Sequence, residues 1–266
     1  MRKGILLIDR GSNDPDVLLE LSELCAMLRD EYMHYDHVTF ALLEVTSPTI
    51  EDAMLESLGY GVEHLTIVPY FLYPGLKMKV AVSKSIKVAR DLGLEYTVTD
   101  CLNYHDALIE LVRARVDESI RGRGSFNSEC DVLLIGHGSS DSDARRVFRL
   151  IGDRLRQYYR NLGICFLELD EPSIRDGIKA MLEGEPKLLI LMPYFLHNGE
   201  HMKHDIREEV DAALREFKPS CNVIMAKHLG VDRRIVKVIM DRVSEAGQQS
   251  VSNPSASVSN QHLKMK

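Results

Sequence analysis

A segment that occurs twice constrains the fold of this chain more than any other feature of its sequence. Pro69-Tyr-Phe-Leu72 returns as Pro193-Tyr-Phe-Leu196, at a shift of 124 residues. The same shift aligns further identical residues, namely Glu44/Glu168, Pro48/Pro172, Ile50/Ile174, Gly75/Gly199 and Met78-Lys79/Met202-Lys203. Gly11-Ser12 aligns with Gly138-Ser139 at a shift of 127. Matches of this number and spacing predict an internal duplication of one structural unit.

Each repeat alternates strand-like runs with segments of helical periodicity. The strand-like runs are residues 5–8, 38–43, 65–68 and 96–99 in the first half, and 131–135, 163–167, 188–191 and 222–225 in the second. Such alternation predicts a parallel sheet with right-handed crossover helices. We therefore expect an α/β protein of two similar domains, each a small parallel sheet with helices on both faces, that face a shared cleft.

The alternation is interrupted once, by the Gly- and Ser-rich residues 121–128, which are typical of a linker. We predict a first domain over residues 1–122, a linker over 123–129 and a second domain over 130–245. Residues 246–266 are polar and lack apolar periodicity, which predicts a disordered tail.

Composition excludes several classes of protein. The 33 basic and 40 acidic residues give a formal net charge of -7, and the absence of a strongly basic block argues against nucleic-acid binding. The five cysteines are widely spaced and form no CxxC, so neither a disulfide framework nor a zinc knuckle is indicated. The first apolar run stops at Asp9, too early for a signal peptide or a membrane span. We expect a cytoplasmic protein with no membrane contact.

The aligned halves differ at the predicted strand ends. Two positions hold a cation in the first half and a histidine in the second, namely Arg10/His137 and Lys77/His201, whereas Glu44 and Glu168 agree. Imidazoles and carboxylates are ligands for divalent transition metals, but guanidinium and ammonium groups have no lone pair to donate. We therefore predict that only the second half holds a metal, through His137, His201 and Glu168.

The loop after residue 191 contains two more histidines, His197 and His204. They are weaker candidates, as part of an entry route or as groups that orient the metal ligands. The chain has neither a GxxxxGK[ST] loop nor a GxGxxG turn, so we expect no nucleotide cofactor.

The second half resembles a known enzyme family in three segments, which are residues 134–139 (Leu-Ile-Gly-His-Gly-Ser), Glu168 with Pro172, and Pro193-x-Phe-Leu-x-x-Gly-x-His201 followed by Asp205-Ile206. This pattern is similar to that of the sirohydrochlorin chelatases, class II enzymes that insert cobalt, iron or nickel into the siroheme and cobalamin ring precursor. The resemblance covers roughly residues 3–245, and the chain resembles the long, duplicated form. It implies that His137 and His201 are metal-binding and catalytic histidines and that Glu168 is their acidic partner.

The resemblance also implies the reaction, which is insertion of a divalent metal into sirohydrochlorin without ATP. The resemblance favours Co2+ as the metal. Fe2+ and Ni2+ remain alternatives, because the ligand set itself does not choose among these metals. The implied substrate carries eight carboxylates, and Arg10 and Lys77 are candidates to grip its acetate or propionate arms. A duplicated chain can supply its own pairing, so we expect a monomer or a weak homodimer.

Two other interpretations remain open at this point. A metal-binding or tetrapyrrole-binding protein could use the same residues for delivery without turnover. A two-lobed sensor of the periplasmic-binding kind would suit Arg10 and Lys77 as an anion site, but it would leave the histidine cluster unexplained.

Overall fold

The computed structural model of the chain describes residues 1–44, 47–122, 129–199 and 201–252, apart from the side chains of residues 201–202 and 249–252. Most of the predicted linker, and residues 253–266 of the predicted tail, lie outside these ranges. In the part that is described, no helix has the length and apolar character needed to cross a membrane.

The first half alternates strands and helices along its whole described length. Its elements are β1 (Lys3–Asp9), α1 (Pro15–Glu31), β2 (His37–Leu42), α2 (Ile50–Gly59), β3 (His64–Pro69), α3 (Leu76–Asp91), β4 (Glu95–Val98) and α4 (Asp106–Ile120). The second half repeats this order with β5 (Asp131–Gly136), α5 (Ser142–Leu155), β6 (Asn161–Phe166), α6 (Ile174–Glu183), β7 (Leu188–Pro193), α7 (Ile206–Phe217), β8 (Asn222–Met225) and α8 (Arg233–Ser252). A π-helical turn, His201–Asp205, precedes α7, and α8 continues past the predicted domain end at residue 245.

Each half forms a four-stranded parallel sheet, with strand orders β2-β1-β3-β4 and β6-β5-β7-β8. The predicted α/β class with two similar parallel sheets is confirmed. Ile8 of β1 lies opposite Pro69 of β3, and Ile135 of β5 lies opposite Pro193 of β7 in the same register. The loops that leave the carboxyl ends of the two sheets are therefore equivalent in position.

The central strands are buried on both faces, which explains why they read as continuous apolar runs. Alternate side chains of β1 enter different cores, with Ile5 and Leu7 on one face and Leu6 and Ile8 on the other. The first of these cores is shared by both halves and contains α1, α4, α5 and α8 between the two sheets. The outer faces of the sheets pack against α2 and α3 in the first half and against α6 and α7 in the second.

The last helix of each half crosses to the other half. Helix α4 contacts β7, whereas α8 contacts β3 and β4, and the two helices contact each other. Arg115 of α4 donates to the Leu229 carbonyl oxygen at 2.6 Å, and Arg242 of α8 donates to the Leu102 carbonyl oxygen at 2.8 Å. These reciprocal bonds join residues related by the shift of 127, so the halves are arranged about an approximate two-fold axis.

Candidate metal centre in the second half

His137 and Glu168 follow neighbouring strands of the second sheet. His137 comes directly after β5, and Glu168 lies just beyond the end of β6. Because β5 and β6 are adjacent and parallel, residues past their carboxyl ends share one edge of the sheet. His137 Nε2 lies 2.9 Å from Glu168 Oε1, and both side chains are partly exposed. The structure thus brings together two of the three predicted metal ligands.

The geometry of His137 indicates what can occupy the space between these two groups. Its Nδ1 lies 3.3 Å from the Gly138 carbonyl oxygen, which can only accept a hydrogen bond. In neutral His137 the proton therefore belongs on Nδ1, and Nε2 presents its lone pair to the Glu168 carboxylate. Two electron-rich atoms at 2.9 Å need a positive species between them, either a proton or a metal ion.

A glycine allows the two loops to approach each other. Gly138 has a φ of 89°, and a Cβ placed there would collide with the carbonyl oxygen of Glu168. The Glu168 amide donates to the His137 carbonyl oxygen at 3.0 Å, which ties the loop after β6 to the loop after β5. Gly11 repeats this arrangement in the first half, with a φ of 93° and the Glu44 carbonyl oxygen as its neighbour.

The equivalent position in the first half is an ion-pair cluster. Arg10 Nε lies 3.6 Å from Glu44 Oε2, and Lys77 Nζ donates to Glu44 Oε1. The hydrogen bond from Lys77, together with the positive charge of Arg10, lowers the pKa of Glu44 despite its partial burial. The three aligned residues therefore converge in this half, and two cations on one carboxylate leave a net positive charge. The sequence predicts Arg10 and Lys77 as contacts for substrate carboxylates, and the alignment gives no indication that Glu44 pairs with both.

The side chain of His201, the third predicted ligand, lies outside the described residues. Its backbone belongs to the π-helical turn before α7, whereas its counterpart Lys77 lies in the first turn of α3. Among the side chains that the structure describes, no group of three histidine, cysteine, aspartate or glutamate residues is arranged to hold a metal ion. The described part of the predicted centre is therefore the His137–Glu168 pair.

No contact described in the structure joins the two weaker candidates to this pair. His204 is exposed on the π-helical turn. His197 is buried against the first half, where its Nε2 lies 3.1 Å from Asp9 Oδ2 and its Nδ1 lies 2.9 Å from Glu20 Oε2. Carboxylates occupy both ring nitrogens, so His197 has no nitrogen available for a metal. His228 Nε2 reaches the other oxygen of Glu20 at 2.8 Å.

The surroundings of His197 set the charges of this cluster. Burial lowers the pKa of His197, but the Asp9 and Glu20 carboxylates outweigh burial and raise the pKa to about 9. Burial raises the pKa of Glu20, but hydrogen bonds from His197 and His228 outweigh it and lower the pKa to about 2. Near neutral pH, His197 is therefore a cation and Glu20 an anion.

The sequence does not predict Asp9 and Glu20 as partners of His197, or His228 as a second partner of Glu20. One signal was available in the alignment, because Asp9 faces Gly136 and Glu20 faces Val147 at the shift of 127. The carboxylates thus occur only in the half that contacts His197.

Comparison with known proteins identifies the same repeat. The CbiX family model matches the chain twice, over residues 4–119 and 131–246. A sirohydrochlorin cobaltochelatase of Priestia megaterium is 20% identical over 249 residues, which cover 91% of this chain and 79% of that protein. A sirohydrochlorin ferrochelatase of the same organism is 35% identical over 82 residues, which cover 31% of this chain and 30% of the relative. SirB from Bacillus subtilis with Fe3+ superposes with a TM-score of 0.80 at 22% identity, covering 95% of this chain and 98% of that one.

Proposed function

Because this chain belongs to the CbiX family over both of its halves, we propose that it is a sirohydrochlorin chelatase, which inserts a divalent metal ion into the tetrapyrrole without ATP. The observation that carries this proposal is the 2.9 Å approach of His137 Nε2 to Glu168 Oε1 at the carboxyl edge of the second sheet. These are the donor atoms that a borderline divalent ion prefers, and Glu168 is half exposed, whereas His137 Nε2 itself is buried.

We propose that His201 completes the metal centre. The support comes from the repeat, since the first-half counterpart Lys77 reaches the counterpart glutamate Glu44. Three protein ligands leave coordination positions open for the pyrrole nitrogens of the incoming ring.

The proposed reaction exchanges a metal ion for two protons. As the ion passes from His137 and Glu168 to the ring nitrogens, the two pyrrole N–H groups lose their protons. His137 Nε2 regains its lone pair when the metal leaves, so it can accept one of these protons. Glu168, which is half exposed, can pass a proton to solvent.

Arg10 and Lys77 remain proposed contacts for substrate carboxylates. Both side chains are about half exposed, and the excess positive charge of their cluster with Glu44 favours a further anion. An acetate or propionate arm could therefore join the cluster without displacing Glu44 completely.

We propose Co2+ as the physiological metal, because the relative that aligns over 91% of this chain is named a cobaltochelatase. Fe2+ and Ni2+ are the alternatives. We further propose that the enzyme works in the cytoplasm. We propose that it is a monomer or a weak homodimer, because the shared core and the crossing helices supply the pairing of two units within one chain.

The proposal is tested by following sirohydrochlorin absorption anaerobically with Co2+, Fe2+ and Ni2+ in parallel. We expect His137→Ala and His201→Ala to lower the insertion rate by at least about a hundredfold, since each removes a metal ligand and a proton acceptor. His34→Ala removes an exposed histidine beyond the far end of α1 and should leave the rate unchanged. Near-normal insertion by both site variants would refute the assignment. Tight metal binding by the wild type without insertion would indicate a delivery protein instead.

A further inference from the structure

The segment between β7 and α7, residues 194–205, is here called the metal loop because it carries His201. It is held against the first half on both sides of that residue. Before His201, His197 donates to Asp9 at 3.1 Å and to Glu20 at 2.9 Å. After His201, Lys203 Nζ lies 2.8 Å from an oxygen of Asp14 and 2.6 Å from one of Asp16.

Two further contacts reinforce the attachment. The amide of Asn198 donates to Glu20 at 3.3 Å, and its side-chain nitrogen donates to Asp16 at 3.4 Å. His228, which follows β8, donates to the second oxygen of Glu20 and so fixes the orientation of that carboxylate. All the acidic partners belong to β1, to the loop after it or to α1, which are elements of the first half.

Four of these side chains are largely removed from water, whereas those of Lys203 and Asp16 are 32% and 42% exposed. The side chains of Asp9 and Asp14 are each 7% exposed, that of His197 is 14% exposed and that of Glu20 is 18% exposed. A buried charge is costly unless its partner is present in good geometry, so a loop position that separates these pairs is disfavoured.

The equivalent loop of the first half is held differently. Lys79 Nζ lies 2.9 Å from Asp141, which repeats the Lys203–Asp14 pair across the approximate two-fold axis. At the position of His197, however, this loop has Tyr73, whose ring lies 6.2 Å from the rings of Phe148 and Tyr194. The ion pairs that His197 makes with Asp9 and Glu20 therefore hold the metal loop, and the loop that carries Lys77 has an aromatic contact in their place.

We propose that Asp9 and Glu20 with His197, and Asp14 and Asp16 with Lys203, form an inter-half clamp that positions the metal loop. This inference rests on the proposed metal centre. It assigns a function to the first half, which lacks the histidines of the proposed metal centre. The first half supplies the residues that position the metal loop of the second half. None of the clamp residues contacts the metal itself.

The clamp acts by reducing the freedom of the loop before the metal arrives. His197 and Lys203 flank His201 closely on both sides, so fixing them restricts the backbone that presents the third ligand. A pre-positioned ligand loses less conformational entropy when it binds, and this raises metal affinity without a new contact. Substitution of a clamp residue should therefore weaken metal binding, although the metal ligands themselves are unchanged.

The test uses the full chain without tetrapyrrole and measures Co2+ affinity through the visible absorption of the bound ion. We expect Asp14→Asn and Glu20→Gln to raise the Kd for Co2+ by about tenfold, as loss of a group that orients a ligand does. Asparagine still caps α1, so Asp14→Asn removes the charge and keeps the helix start. If Glu20→Gln does not fold, Asp14→Asn alone decides the question.

The matched control is Lys79→Gln. It removes the equivalent inter-half ion pair, but from the loop that carries Lys77, and should leave the Kd for Co2+ unchanged. Lys203→Arg, which keeps the charge, should bind Co2+ like the wild type, whereas Lys203→Met should not. An equal rise in Kd for Lys79→Gln and Asp14→Asn, or no rise for Asp14→Asn, would overturn the clamp.

The wild type and His137→Ala separate this inference from the proposed function. Strong Co2+ binding by the wild type that His137→Ala abolishes supports the metal centre, whatever the clamp variants do. Failure of the wild type to bind Co2+ would overturn the metal centre and the clamp together.

Discussion

Single residues distinguish the candidate metal centre of the second half from the ion-pair cluster of the first. Each half has a glutamate just beyond its second strand, and the side chains that contact this glutamate differ between the halves. In the first half Glu44 meets Arg10 and Lys77, which neutralise it. In the second half Glu168 meets the imidazole of His137, a side chain that can donate a nitrogen lone pair to a cation, as guanidinium and ammonium groups cannot. A change of two side-chain types thus converts an ion-pair cluster into a candidate metal centre.

Gly138 offers a test of this geometry at the residue scale. We expect Gly138→Ala to lower the free energy of unfolding by about 1–3 kcal/mol, because alanine is strained at a φ of 89° and its Cβ would meet the Glu168 carbonyl oxygen. The same displacement should separate His137 from Glu168 and weaken Co2+ binding.

Chemical denaturation and Co2+ titration of Gly138→Ala measure the two effects. Gly75→Ala is the control, because Gly75 has a φ of -87° and no neighbour within 4 Å of an added Cβ. Wild-type stability and wild-type Co2+ affinity in Gly138→Ala would contradict the role given to this glycine.

At the scale of elements, the metal loop contacts β1 and α1 of the first half as well as its own sheet. His197 belongs to the second half, yet Asp9 and Glu20 hold it as a buried cation. Burial alone would lower its pKa, so the raised pKa of about 9 follows from the attraction of the two carboxylates for the charged form.

The raised pKa predicts how stability depends on pH. The folded state holds the His197 proton more tightly than the unfolded chain, so the stabilisation is complete below pH 6.5 and is lost as pH rises through about 9. For Glu20 the pKa is lowered to about 2, so its contribution is present above pH 4.5 and is lost only as pH falls through about 2.

We therefore expect the free energy of unfolding to fall by about 2–3 kcal/mol between pH 6.5 and 9 through this one group. Denaturant titrations at a series of pH values measure the fall. His197→Gln should be less stable at pH 6.5 and should show a flatter profile over this range. Parallel profiles for the two proteins would exclude a charged His197.

The sequence predicted the elements well and the contacts between them less well. Apolar runs such as Ile5–Ile8 identify strands because buried parallel strands are apolar on both faces. The pairing of His137 with Glu168 was predictable because both follow neighbouring strands. The pairing of His197 with Glu20 was not, since the two lie 177 residues apart and nothing local indicates which face of α1 meets the loop.

At the scale of the whole molecule, the two halves are one structure. The core that contains α1, α4, α5 and α8 draws side chains from both sheets. Periodicity predicted that α4 and α8 are helices, but it gave no indication that each packs on the other half. The packing of α4 and α8 on the opposite halves depends on how the two sheets are placed relative to each other, which periodicity does not indicate.

We expect the second half alone, residues 129–252, not to be a stable monomer, because its share of the common core would be exposed to water. It should associate into dimers in which two copies of α8 exchange places. In such a dimer His197 would face Gly136 and Val147 instead of carboxylates, so the clamp would be missing and Co2+ affinity lower. Analytical ultracentrifugation with Co2+ titration checks both points, and a stable folded monomer would contradict the shared core.

The crossing of α4 and α8 also limits how the molecule can move. Two lobes joined by a hinge can swing apart only if each keeps its own apolar interior, and here separation would pull each terminal helix off the sheet it covers. A hinge motion that separates the two halves is therefore not expected to admit a large, flat, polyanionic ring. We expect such a ring to enter past the loops at the carboxyl edges of the sheets while the strands and helices behind them keep their places.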